Sequence, residues 1–122
     1  KNIFDSHITL RIVSWKGKEI YQDRFSMNDF MERGPKDKRT QNDSIGIIEM
    51  LSQFLDEDRF DKASRIVKEA LDESSGELAP GWKEFQADTV AISFDYLLGA
   101  EDGRSIAFSK TKRKAIIYFR CC

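Results

Sequence analysis

A single histidine, His7, stands at the head of an alternating segment. General acid–base chemistry leans heavily on histidine, and hydrolysis without a metal ordinarily needs a second positioned group beside it. The two cysteines, Cys121 and Cys122, are adjacent, so with one histidine they cannot supply the roughly four ligands of a structural zinc site. No phosphate-cradling glycine loop, dinucleotide fingerprint, HExxH or nucleophile elbow occurs. The carboxylates Asp56, Glu57, Asp58 and Asp61 are of the type that hard cations take, but their spacing lacks the alternate ligands, central Gly and late Glu of an EF-hand. Negative charge there suits a helix N-terminus equally well. Asp95 lies inside an apolar run, and its alternation places it with Ala91 and Ser93 on the wetter face. The expectation is a protein without catalytic residues, metal or cofactor.

Charge distribution carries more information. The net charge is −1, yet residues 1–42 hold nine Lys/Arg against six Asp/Glu, residues 43–102 hold five against fifteen, and residues 103–122 hold six cations and no acid. An acidic middle with this bias can steer a basic protein partner, because complementary fields raise association rates and reject wrong partners. Asp56, Glu57, Asp58, Asp61, Asp72, Glu73 and Glu77 are the candidate partner-facing acids. Trp82 is a candidate anchor, since large aromatics near turns bury much area for little entropy. Trp15 and Tyr21 lie near turns in the same way. Alternatively, Arg39, Lys110, Lys112, Arg113 and Lys114 would grip phosphates while Tyr118 stacks on a base.

These groups must be held by elements that the patterning makes visible. At 122 residues with 40% apolar side chains, the chain suits one domain spanning 1–122. Ile8, Leu10 and Ile12 alternate against Thr9, Arg11 and Val13, and after the turn at Trp15–Lys18 the segment Glu19–Phe25 returns as the second strand of a hairpin. Ser26, with Asp29 three residues on, starts a short helix over Met27–Arg33. Residues 34–42, polar and basic with no apolar side chain from Lys36 to Asn42, read as a loop. A second helix follows from Asp43 or Ser44 to about Leu55, with Ile45, Ile48, Leu51 and Leu55 on one face and Ile47, Met50 and Phe54 widening it. A third runs over about Glu57–Asp72 and buries Phe60, Ala63, Val67, Ala70 and Leu71. Glu73–Gly81 reads as loop, and Trp82–Gln86 is ambiguous between strand and helical turn. Thr89–Leu98, Arg104–Ser109 and Ala115–Arg120 make an antiparallel meander.

The order β-β-α-α-α-β-β-β segregates strands from helices, which predicts an α+β fold: a mainly antiparallel five-stranded sheet with helices packed on one face. No stretch approaches the roughly 20 apolar residues of a membrane span. Two adjacent cysteines make no disulfide framework, so a cytoplasmic protein is expected. The leading expectation is therefore a non-enzymatic protein-binding module, in its concrete form a small inhibitor of the bacterial immunity or antitoxin kind that neutralises a basic toxin such as a nuclease. A nucleic-acid-binding module built on the C-terminal hairpin is the alternative. A small enzyme with an unorthodox site around His7, Arg11 and Asp95 is the second alternative. A His7→Ala variant is expected to keep every activity in cells, and loss of one would point back to that enzyme.

Overall fold

The computed structural model describes residues 5–31, 44–73, 76–98 and 102–121. Strands β1 (His7–Val13) and β2 (Glu19–Ser26) pair antiparallel from His7↔Ser26 to Ile12↔Tyr21. Helix α1 (Met27–Met31) follows at once, capped by Ser26, whose Oγ accepts the Asp29 N–H at 3.0 Å. Then come α2 (Ser44–Phe54), a 3₁₀ turn (Glu57–Arg59), β3 (Phe60–Lys62), α3 (Ala63–Glu73), β4 (Gly76–Leu78) and α4 (Trp82–Ala87). The meander β5 (Ile92–Leu98), β6 (Asp102–Ser109) and β7 (Lys114–Cys121) closes the chain.

The fold is α+β with a five-stranded antiparallel sheet, in the order β3-β5-β6-β7-β4. Its membership differs from the sequence reading. The β1–β2 hairpin forms a separate two-stranded sheet, and β3 and β4 take the edge places. Both edge strands are three residues long and sit in segments whose composition reads as helix or loop. Phe60 pairs with Phe94 across the ladder, and that pairing overrides the helical preference of its neighbours. At Gly76 an added Cβ would meet the Phe119 ring and lie 2.6 Å from the Arg120 carbonyl, so β4 approaches β7 only because this position has no side chain.

The placement of helices on one face is corrected: both faces of the sheet are covered. On one face Phe94, Tyr96, Leu98 and Ile106 join Phe25, Met27, Phe30, Met50 and Phe54, which come from β2, α1 and α2. On the other, Ala107 and Tyr118 join Ala63, Val67 and Phe85 from α3 and α4. Ser93 is fully buried on that second face, which is therefore a helix-packing surface lined by small residues and not the wetter side. A β-bulge between Ser105 and Ile106 lets β7 direct both Tyr118 and Phe119 toward it.

The second helix also turns differently from the periodicity. Phe54 packs its ring against Phe25, Phe30, Phe94 and Tyr96, which leaves Ile48, Leu51 and Leu55 exposed. Phe60 and Leu71, expected in the core, are exposed as well. The α2 cap at Asp43 lies outside the described residues, as do residues 32–42, Cys122 and the side chain of Ile45. Phe85 is 0% exposed and its ring lies 4.9 Å from that of Tyr118, so it carries the contact between α4 and the sheet. Phe85→Ala is expected to destabilise the fold by about 3–5 kcal/mol, read from urea unfolding, because the cavity cannot collapse under a rigid sheet.

Candidate functional site

Helix α3 crosses the second face of the sheet, and beside it opens a cleft of about 240 Å³. Glu69 and Glu73 line it from α3, Asp95 and Ser105 from β5 and β6, Phe119 and Cys121 from β7, and Arg59 from the 3₁₀ turn. The spacing of four between Glu69 and Glu73 places both on the same face of the helix. Arg65, one turn earlier, bonds Glu69 at 3.2 Å and Asp61 at 3.6 Å.

Asp95 sits at the end of a hydrogen-bonded chain. The Tyr118 hydroxyl donates to Ser93 Oγ at 2.6 Å, and Ser93 Oγ donates to Asp95 Oδ1 at 2.9 Å. Burial pushes the Asp95 carboxyl above the usual carboxylate range; bonds from Ser105 and Ser93 and the nearby Arg59 pull it back in part, while Asp61 raises it further. Burial likewise raises the Tyr118 phenol, so it remains a donor at any ordinary pH. The cleft thus gathers three carboxylates, of which Asp95 is partly desolvated and Glu69 bonds Arg65, beside the Arg59 cation.

The structure distributes the sequence-predicted acids over separate places. Asp56, Glu57 and Asp58 are exposed on the 3₁₀ turn leading into edge strand β3. Asp61 is half-buried in β3 and turned to Arg65. Asp72, Glu73 and Glu77 are exposed at the end of α3 and on β4, the opposite edge of the sheet, where Glu77 stands across from Arg120. Among the described residues, none of Asp56, Glu57, Asp58, Asp72, Glu73 or Glu77 forms an ion pair; the final hairpin engages Asp23 and Asp102 through Arg104, and Glu84 and Asp88 at its basic turn. Trp82 is half-buried against the Ala63–Phe85 cluster, with Lys83 Nζ 5.9 Å from its ring, so most of it is a lid on the core. Glu69 and Asp95 were not among the predicted partner-facing acids. The spacing of Glu69 from Glu73 was a signal for the first, but nothing in the sequence shows that Asp95 faces a helix.

The alternative phosphate-binding set does not hold together as read. Tyr118 is 0% exposed and cannot stack on a base, because the bulge directs it under α3 and α4. Arg39 lies outside the described residues. Lys110, Lys112, Arg113 and Lys114 do share one exposed turn. Nor do His7, Arg11 and Asp95 converge: His7 heads the hairpin over the first face, Arg11 bonds Glu19 at 2.6 Å, and Asp95 lies on the second face. Among the described residues no group of three or more His, Cys, Asp or Glu could hold a metal ion, and no helix is long and apolar enough to cross a membrane.

No family model, curated protein or solved structure matches this chain.

A carboxyl whose folded pKa is raised favours folding below the unfolded pKa and opposes it increasingly as pH rises through the folded value. Asp95→Asn keeps one acceptor oxygen and, like the protonated carboxyl, offers a donor in the other position, but carries no charge. Its melting temperature is therefore expected to exceed that of the natural chain at pH 7 and to match it in acid, below the ordinary carboxylate range. A lower melting temperature at pH 7 would mean that the carboxylate itself is favourably held.

Proposed function

We propose that the chain is a protein-binding module of the immunity or antitoxin kind, which neutralises a basic toxin by covering its working surface. The observation that supports this reading is the state of its acids. Asp56, Glu57, Asp58, Asp72, Glu73 and Glu77 are exposed and unpaired among the described residues, although the chain holds 20 Lys and Arg. Surface carboxylates cancelled by their own fold would instead pair with Lys or Arg, and of these six only Glu77 stands across a strand from a cation, Arg120. Unpaired acids of one sign set up a negative potential that attracts a cation.

In this reading the α3 cleft receives a Lys or Arg of the partner. Glu69 and Glu73 meet it at the rim and Asp95 at the base, and a charge-assisted bond there is stronger than at an open surface. Asp56–Asp58 form a second, more exposed contact at the β3 edge. Binding rather than catalysis is the action, no cofactor takes part, and the site of action is the cytoplasm, where the paucity of cysteine fits.

Copurification with mass spectrometry is expected to return a basic protein, encoded beside this chain. Reversing Asp58→Lys and Glu73→Lys together is expected to slow association with that protein at least roughly tenfold at low salt, with the difference shrinking as salt screens it. Because both side chains are exposed, the melting temperature should stay within a few degrees of the natural value. Unchanged association kinetics would show that the acidic surface is not the docking face.

A further inference from the structure

Two turns distant in sequence meet beside one cleft at the far end of β6 from the acidic recess. Ser14, Lys18 and Ile20 of the first hairpin line it together with Phe108, Lys110 and Arg113 of the β6–β7 hairpin. We propose that this cleft, together with the exposed Trp15 of the turn that supplies Ser14 and Lys18, binds single-stranded nucleic acid: the cations of the two turns hold phosphates while Trp15 and Phe108 stack on bases. The proposal is independent of the inhibitor reading.

Three observations support it. First, the aromatic faces are available. Trp15 is 91% exposed and Phe108 40% exposed, an arrangement that burial alone does not favour. Lys16 Nζ stands 5.1 Å over one face of the Trp15 ring, which leaves the other face for a base.

Second, the positive charge is not cancelled. Among the described residues Lys18, Lys112, Arg113 and Lys114 form no ion pair. Of the acids beside the turns, Glu19 pairs with Arg11 and Asp88 with Lys110 at 3.5 Å; Glu84 stays anionic beneath the turn, bonded to Ser109 Oγ and the Lys110 N–H, and is outnumbered by the four unpaired cations.

Third, the basic turn is built to hold one shape. Glu84 accepts Ser109 Oγ at 2.7 Å and the Lys110 N–H at 2.8 Å. Ser109 Oγ in turn accepts the Lys112 N–H at 3.1 Å, and the Ser109 carbonyl accepts the Arg113 N–H at 2.7 Å. Arg113 adopts a left-handed backbone, φ 57°, which these bonds must sustain. A solvated tip that served only solubility would need no buried serine and carboxylate beneath it. The order also means that little backbone entropy is lost when phosphates bind.

The test is fluorescence anisotropy with a labelled twelve-nucleotide oligo(U) and its oligo(dT) counterpart, run beside inorganic polyphosphate as a base-free competitor. A Trp82→Phe background leaves Trp15 as the single tryptophan reporter. If four phosphates are neutralised at about 0.7 counterions each, affinity is expected to fall roughly 50-fold between about 50 and 200 mM salt. Trp15 fluorescence should be quenched, and Trp15→Ala should weaken binding by roughly 5- to 100-fold. Lys112→Glu with Arg113→Glu should remove it. No anisotropy change at low salt overturns the proposal. So does binding that Trp15→Ala leaves intact, or that polyphosphate displaces as well as oligo(U) does, since either would mean charge attraction without base stacking. The Asp58→Lys, Glu73→Lys chain should bind the oligonucleotide no more weakly than the natural one, so failure here leaves the inhibitor reading untouched.

Discussion

Asp23 accepts a bond from Arg104 at 2.8 Å and one from the Tyr96 hydroxyl at 2.7 Å, and through these contacts the hairpin layer is fastened to the five-stranded sheet. The Tyr21 hydroxyl lies 2.5 Å from that of Tyr96. Since a phenol has one proton and Tyr96 gives its own to Asp23, Tyr21 must be the donor to Tyr96. Arg104 reaches onward to Asp102 at 3.0 Å. Burial works against the guanidinium charge, but the bonds to Asp102 and Tyr96 outweigh it and raise the pKa, so the cation persists at every ordinary pH. The Asp23 and Arg104 side chains are only about one-fifth exposed, 19% and 20%, and neither tolerates loss of the other. A one-residue slip of β2 would carry Tyr21, Asp23 and Phe25 together to the solvent side, so this polar chain also specifies the register of the hairpin.

With the first face of the sheet closed in this way, the second is closed by α3 and α4, and the two faces use different chemistry. Aromatic side chains fill the first, where Phe25, Phe54, Phe94 and Tyr96 pack ring to ring. Small and hydroxylated residues line the second, where Ser93, Ser105 and Ala107 let the helices come close. Buried hydroxyls there require partners, and Asp95 supplies one at the margin where α3 stops covering the sheet. The acidic recess is thus a by-product of how a small-residue face ends. The charge separation follows the same geometry: Gly103 and Ser105 of β6 open on carboxylates, whereas Phe108 at its other end opens on lysines and an arginine.

Much of this was legible in the chain. The period-two alternation of Ile8, Leu10 and Ile12, the Ser26 cap and the C-terminal meander all depend on neighbours in sequence, and each forms where local chemistry places it. What was misread involved partners far along the chain. Leu51 and Leu55 have the spacing of a core stripe, but α2 turns Met50 and Phe54 inward, because those side chains meet the rings of β2, α1 and β5. Tyr118 looked like a base-stacking residue beside lysines until a bulge placed it inside. Phe60–Lys62 and Gly76–Leu78 became strands because β5 and β7 offered unpaired ladder groups.

The residues alone therefore determined an α+β fold, the order of its principal elements, its alternating charge blocks and its single histidine and adjacent cysteines. These are properties of composition and of contacts a few residues apart. Only tertiary structure decided that both sheet faces would be covered, that Asp95 and Glu69 would share a recess, and that Ser14 and Lys18 would line one cleft with Lys110 and Arg113. Such juxtapositions depend on long-range pairing and on which of two similar faces finds the better-fitting partner, information carried by the whole chain and by no single window of it.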